Sequence, residues 1–216
     1  MKPEFFKPVG TPNGGAIVVA HGSDGLVDNE RGDWKTMICD YATELSGKGF
    51  VVLVPDYFAL TGTKPPTTLA DYAFHRDTWQ KALTTVISDA SAMKGIDASR
   101  VGLLGFSLGG HLILRLRSVS KVLVSYFAPE FLELGGLGPV NIGPLRALLH
   151  HGTGDTLVPF VPNAGDIEQT LRKEKAEVEL IPYDRAGHGF VGGDADNTSA
   201  SEKSKASTLA FFEKYL

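Results

Sequence analysis

A chain of 216 residues, 43% hydrophobic and 21% charged, can bury one sizeable core, which excludes disorder, collagen and a coiled coil as the main architecture. With 21 Lys and Arg against 25 Asp and Glu the net charge is −4, and no basic run offers a footprint for nucleic acid or an anionic membrane. The lone Cys39 excludes an intrachain disulfide, no apolar run approaches the roughly 20 residues of a membrane span, and Met1-Lys2-Pro3-Glu4-Phe5-Phe6 has no continuous apolar signal core, so a cytoplasmic home is expected.

Residues 1–14 read as an N-terminal extension. The first apolar run covers 16–20 and ends in His21-Gly22-Ser23-Asp24-Gly25. Trp34, Met37, Ile38, Tyr41 and Leu45 then share one helical face, which stops at Gly47 and Gly49. A second run, 50–54, leads into Pro55-Asp56-Tyr57-Phe58. A long helix is predicted over 71–94, with Trp79, Leu83, Val86, Ala90 and Met93 inward and Gly95 at its end. The third run, 101–106, passes directly into a helix from about Leu108 to Arg117. The fourth, 122–127, is followed by a Gly-rich stretch, 130–144, read as a loop or small flap. After the fifth run, 145–149, a helix is expected beyond Pro162 with Ile167 and Leu171 inward. The sixth run, 178–181, precedes a last helix with Ser199 and Glu202 at capping-box spacing, burying Leu209, Phe212 and Tyr215.

Most of these runs are continuous rather than alternating, as in strands covered on both faces. Strand and helix alternate throughout, without repeats or linkers, so the whole chain, 1–216, reads as one α/β domain: a doubly wound, mostly parallel sheet with helices on both faces and no large cap domain. In such sheets ligands bind beyond the carboxyl ends of the strands.

The residues beyond those ends carry the chemistry. Gly105-Phe106-Ser107-Leu108-Gly109-Gly110 is G-x-S-x-G between a strand and a helix. A serine at so sharp a turn leaves no room for side chains two residues before or after it, and the turn aims free helix N–H groups at a reacting carbonyl. Its hydroxyl needs a base. Of six histidines, His188 in Ala186-Gly187-His188-Gly189-Phe190 follows the last run among small residues and is the preferred base. His75, His111, His150 and His151 read as packing or structural residues. The base needs a carboxylate, for which Asp155, in the turn after the fifth run, is preferred over Asp184. Two N–H donors are expected for an oxyanion, from Leu108 and from Ser23 in the loop after the first run. Tyr57, Phe58, Arg76, Tyr126 and Phe190, with Phe127, are candidates for a substrate pocket, each equally open to a reading as core or surface. Cys39 reads as a packing residue.

From about residue 15 to the end the chain resembles the dienelactone hydrolase family of α/β-hydrolases: in Val54-Pro55-Asp56-Tyr57-Phe58, in the turn from Gly105 to Gly110, in the loop from Ala186 to Phe190, and in the order Ser107, Asp155, His188. The resemblance implies an α/β-hydrolase fold and cleavage of a small ester or lactone through an acyl-enzyme, without metal or cofactor. The name-giving enzymes carry Cys as nucleophile, Glu in the oxyanion loop and an Arg shortly after the histidine; here stand Ser107, Gly22 and Val191-Gly192-Gly193-Asp194. These departures point from dienelactone toward a serine carboxylesterase on the same scaffold. The Gly-Phe-Ser-x-Gly-Gly turn and the His-Gly-x-x-Asp-x-x-Val-Pro loop are also similar to small carboxylesterases and acyl-protein thioesterases. Acyl transfer to peroxide and a non-catalytic binding protein of the same fold remain open alternatives, and oligomeric state is not legible.

Overall fold

Period-2 side chains on buried strands build the centre of the molecule, which the computed structural model describes over residues 3–216. In chain order the elements are β1 (Glu4–Phe6), β2 (Ala16–Ala20), a small hairpin of β3 (Asp28–Asn29) and β4 (Gly32–Asp33), α1 (Trp34–Gly47), β5 (Val51–Val54), α2 (Tyr57–Thr61), α3 (Leu69–Ser91), β6 (Val101–Phe106), α4 (Leu108–Arg115), β7 (Val122–Tyr126), β8 (Arg146–Gly152), α5 (Phe160–Lys173), β9 (Glu177–Tyr183) and α6 (Ala195–Tyr215). Seven strands form one sheet in the order β1-β5-β2-β6-β7-β8-β9, parallel except for β1, which runs antiparallel to β5.

The sheet is sandwiched. Ala16, Val18 and Ala20 of β2 face a layer containing Trp79 and Leu83 of α3, Leu112 of α4 and Leu171 of α5. Ile17 and Val19 face the opposite layer, with Ile38, Tyr41 and Leu45 of α1 and Phe211 and Phe212 of α6. Burying one such side chain stabilises by about 1.5–3 kcal/mol, which explains why the six parallel strands coincide with the six apolar runs. Among the described residues no helix is long and apolar enough to cross a membrane.

Two local expectations are corrected. The segment before β2 is not a bare extension: Glu4–Phe6 completes the sheet, registering Phe5 with Leu53, while Met1 and Lys2 lie outside the described residues. The last helix begins earlier than Ser199, because the Asp194 carboxylate accepts the Asn197 N–H and caps it there. Within it Thr208, Phe211 and Phe212 are buried, whereas Leu209 and Tyr215 are only half-buried. Residues 130–144 contain a single 3₁₀ turn, Leu132–Leu134, and are pinned by arginines: Arg76 donates to the Leu134 carbonyl at 2.8 Å and Arg117 to that of Gly138 at 2.7 Å.

The strand order reverses direction between β2 and β6, since the chain adds β5 on one side of β2 and then β6 through β9 on the other. Ala20 is registered with Gly105, so the loops leaving β2 and β6 open side by side at this switch point.

Candidate active site

Ser107 leaves β6 with φ 51° and ψ −118°, a left-handed conformation for a residue with a Cβ. Close packing forces it: a Cβ on Gly105 would lie 2.5 Å from the Gly109 carbonyl oxygen, and one on Gly109 would lie 2.2 Å from that of Ala20. Only glycine at both positions lets α4 start hard against β2 and β6. The Ser107 hydroxyl is left half-buried at the sheet's carboxyl edge.

A second close approach brings the next partners together. Gly152 ends β8 opposite Tyr183 of β9, and a Cβ on it would sit 2.1 Å from the Ala186 carbonyl. The turns after β8 and β9 therefore touch. His188 Nδ1–H donates to Asp155 Oδ2 at 2.7 Å, and its Nε2 accepts from Ser107 Oγ at 3.1 Å. Three residues separated by 48 and 33 positions thus form one continuous hydrogen-bonded line. Asp184, the alternative carboxylate, is exposed and accepts from Thr153 Oγ1 at 3.4 Å.

Asp155 is 4% exposed. Burial pushes its carboxyl up, but the close approach of His151, the hydrogen bond from His188 and the Val158 N–H outweigh that and hold it below the usual carboxylate range. Its Oδ1 accepts the N–H groups of Leu157 and Val158 at 3.0 and 2.8 Å. His151 Nε2–H donates to the Val158 carbonyl at 2.8 Å and stands 3.5 Å from Asp155 Oδ2, so this histidine braces the turn. The His188 loop is held by Asn197, whose Oδ1 accepts the Gly187 N–H at 2.8 Å. Neither His151 nor Asn197 was singled out for this from sequence; only the clustering of small residues around each turn hinted that something must pack close.

Leu108 is the first residue of α4, and its N–H, like that of Ser23, has no acceptor among the described residues. The loop carrying Ser23 is shaped by His21, whose Nδ1–H donates to the Gly22 carbonyl at 2.9 Å. Tyr57 O–H donates to the His21 carbonyl at 2.9 Å, and its ring stacks on the imidazole with centroids 4.0 Å apart. A Cβ on Gly22 would lie 3.4 Å from that of Ser107.

Two cavities meet at Ser107. The larger, about 310 Å³, is walled by Trp34, Met37, Phe106, Phe127 and His188, with Asp24 and Arg31 paired at its edge. The smaller, about 170 Å³, is walled by Leu69, Tyr72, Leu108, Pro129 and Phe131. Ser23, Thr67, Ser107 and Leu157 belong to both. A cleft of about 410 Å³ between β9 and α6 contains none of the Ser107, Asp155 and His188 line.

Of the six candidate pocket residues Phe127 lines the larger cavity; the other five line neither, each for a physical reason. Tyr57 and Phe58, fully buried, pack behind the His21 loop against Trp79. Tyr126 lies inside the other layer, donating to Thr208 Oγ1 at 2.6 Å and accepting from Tyr41 at 3.0 Å. Phe190 turns back onto Tyr183 and Phe127. Arg76 is engaged with Leu134 and Asp77. Beside Phe127, walls come from the first turn of α1, whose Trp34 and Met37 follow helical spacing and so read as core, and from Phe131, in a stretch without periodicity. Phe127 and Phe131 both hold positive φ, 36° and 52°, so the two aromatic walls are set by strained backbone.

Against known proteins, the family model described as the dienelactone hydrolase family matches residues 5–216. A carboxymethylenebutenolidase from Rhodococcus opacus is 30% identical over 190 residues, covering 81% of this chain and 74% of that one. Among solved structures, a dienelactone hydrolase-like promiscuous phosphotriesterase from metagenomic libraries superposes with a TM-score of 0.69 at 20% identity, covering 96% of this chain and 88% of that one. Esterase 2 of Thermogutta terrifontis, solved phosphoramylated by tabun, gives 0.67 at 19% identity, covering 95% and 88%. At these identities the solved structures bear on the fold, which is that of the α/β-hydrolases.

Proposed function

The chain belongs to the dienelactone hydrolase family, and on that footing we propose that it is a serine hydrolase that cleaves small carboxylic esters through an acyl-enzyme. The observation that carries this reading is the unbroken line from Ser107 Oγ through His188 to Asp155, with links of 3.1 and 2.7 Å. Ser107 Oγ bonds to the ester carbonyl carbon while its proton passes to His188 Nε2. The resulting oxyanion is met by the Leu108 N–H at the start of α4, where the helix dipole adds positive potential, and by the Ser23 N–H of the loop after β2. Asp155, kept ionised, fixes the Nδ1–H tautomer and stabilises the imidazolium. As the tetrahedral centre collapses the carbon–alkoxide bond breaks, and His188 gives its proton to the departing alkoxide. Water then attacks the acyl carbon, its proton going to His188. Breaking the Ser107–acyl bond releases the acid, and the serine oxygen recovers the proton.

The test is hydrolysis of p-nitrophenyl acetate by the wild-type protein, Ser107→Ala and His188→Ala. Either substitution is expected to lower kcat by at least about 10⁴-fold while the far-ultraviolet circular dichroism stays unchanged. Turnover that survives Ser107→Ala sinks the reading.

A further inference from the structure

The two cavities at Ser107 differ in size, in walls and in their relation to the base. A mechanism of this kind places an ester in only one way. The leaving oxygen must lie within reach of His188 Nε2, because that atom protonates it. Of the two cavities only the larger has His188 in its wall. The carbonyl oxygen must face the Leu108 and Ser23 N–H groups. The remaining substituent, the acyl chain, is then directed away from His188 into the cavity walled by Leu108 itself.

Resting on the serine-hydrolase reading, we propose that the smaller cavity is the acyl subsite and the larger one the alcohol subsite, so that the preferred substrates are esters of short-chain acids with bulky, aryl-bearing alcohols. The acyl side, about 170 Å³, falls below the roughly 300–1,000 Å³ of ordinary small-molecule sites, whereas the alcohol side, about 310 Å³, reaches that range. The acyl side is closed by Phe131 and Tyr72, with ring centroids 4.4 Å apart, and Phe131 also packs edge-on to the buried His111 at 5.0 Å. His111 is itself fixed, its Nδ1–H donating to the Pro129 carbonyl at 2.8 Å and its Nε2 accepting from Tyr72 O–H at 2.6 Å. That back wall therefore has no simple way to yield to a longer chain. The alcohol side presents the aromatic rings of Trp34, Phe106 and Phe127, surfaces on which an aryl group packs.

Two isomeric esters test the division without changing composition or leaving-group class: phenethyl acetate, with the bulk on the alcohol, and ethyl phenylacetate, with the bulk on the acid. The expected kcat/KM ratio is at least about ten in favour of phenethyl acetate, the scale on which a misfitting apolar group is rejected. Phe131→Ala, which opens the acyl side, is expected to lower that ratio. Leu69→Trp, at a half-exposed position that fills the same side with little risk to folding, is expected to raise it. Labelling of Ser107 by a fluorophosphonate, combined with equal turnover of the two esters, preference for ethyl phenylacetate or turnover of neither, overturns the division while leaving the serine-hydrolase reading intact. Absence of labelling overturns that reading and this inference with it.

Discussion

Ser107 is held in a conformation that L-residues avoid, and the neighbours that hold it there are backbone atoms. Gly109→Ala would drive a Cβ into the Ala20 carbonyl, a contact that no rotamer change relieves. Overpacking of a rigid site costs about 1–3 kcal/mol or more, so this variant is expected to lose several degrees of melting temperature together with activity. His151 acts at one remove, through its hold on the Val158 carbonyl and its approach to Asp155. His151→Phe keeps the bulk but removes both contacts. It is expected to lower kcat by about ten- to a hundred-fold with little change in KM, whereas a purely structural role would leave kcat unchanged at temperatures where the variant is folded. At this scale the sequence was legible where chemistry demands particular residue types: a serine between glycines, a histidine and an aspartate each just past a strand. Of the aromatic cavity walls it named only Phe127. Whether Tyr57 faces substrate or supports the His21 loop is decided by which loops pack together, and no local pattern encodes that.

Among the elements, the long ones announced themselves. Strands buried on both faces are continuous apolar runs, and α1 and α3 repeat their inward residues over three or more turns. The short ones did not: β1 has three residues and α2 five, below the length at which periodicity can be read. The start of α6 was misplaced because Ser, Thr, Asp and Asn crowd its first turn, offering several caps of similar chemistry; Asp194 prevails by accepting the Asn197 N–H. Asp194→Ala is expected to cost about 1 kcal/mol in urea unfolding, typical of a lost N-cap. The docking of α6 on the sheet runs through Thr208, whose Oγ1 joins Tyr126 O–H at 2.6 Å and His150 Nε2 at 3.1 Å. Thr208→Val preserves shape but strands both partners in the core. A loss of about 1–3 kcal/mol is expected, and no measurable loss would show that water already satisfies them.

The molecule as a whole carries an uneven set of buried ionisable groups, and its stability should vary with pH accordingly. Burial holds His111 and His150 down to about 3, in His111 despite the Pro129 carbonyl. Unfolded histidine takes up its proton near 6.5, so below that pH the unfolded chain gains protons that the folded one refuses. Each histidine then costs about 1.4 kcal/mol of stability per pH unit of acidification. Glu130 opposes them: burial raises its carboxyl to about 7 from the ordinary 4.5, so between these values stability falls as pH rises. From pH 6.5 down to 4.5 the balance is one proton, a loss of about 1.4 kcal/mol per unit; below 4.5 the Glu130 contribution is complete and the slope doubles. Below the ordinary 3.8 of an aspartate, the stability supplied by Asp155, whose carboxyl is held low in the fold, is lost as well. Urea titrations at pH 6.5, 5.5 and 4.5 read this directly, and Glu130→Gln is expected to steepen the fall about two-fold. A stability independent of pH across this range contradicts the burial of these groups.

Both ends of the sequence serve one edge of the sheet: the switch point between β2 and β6 sets Ser107 beside the His21 loop, and the neighbouring turns after β8 and β9 deliver Asp155 and His188 to it. The most direct test of this convergence is peptide mass mapping after exposure to a fluorophosphonate at neutral pH. A single adduct on the peptide containing Ser107 is expected, absent in Ser107→Ala and formed far more slowly in His188→Ala. An adduct on another residue, or labelling at an unchanged rate without the His188 imidazole, would contradict the account.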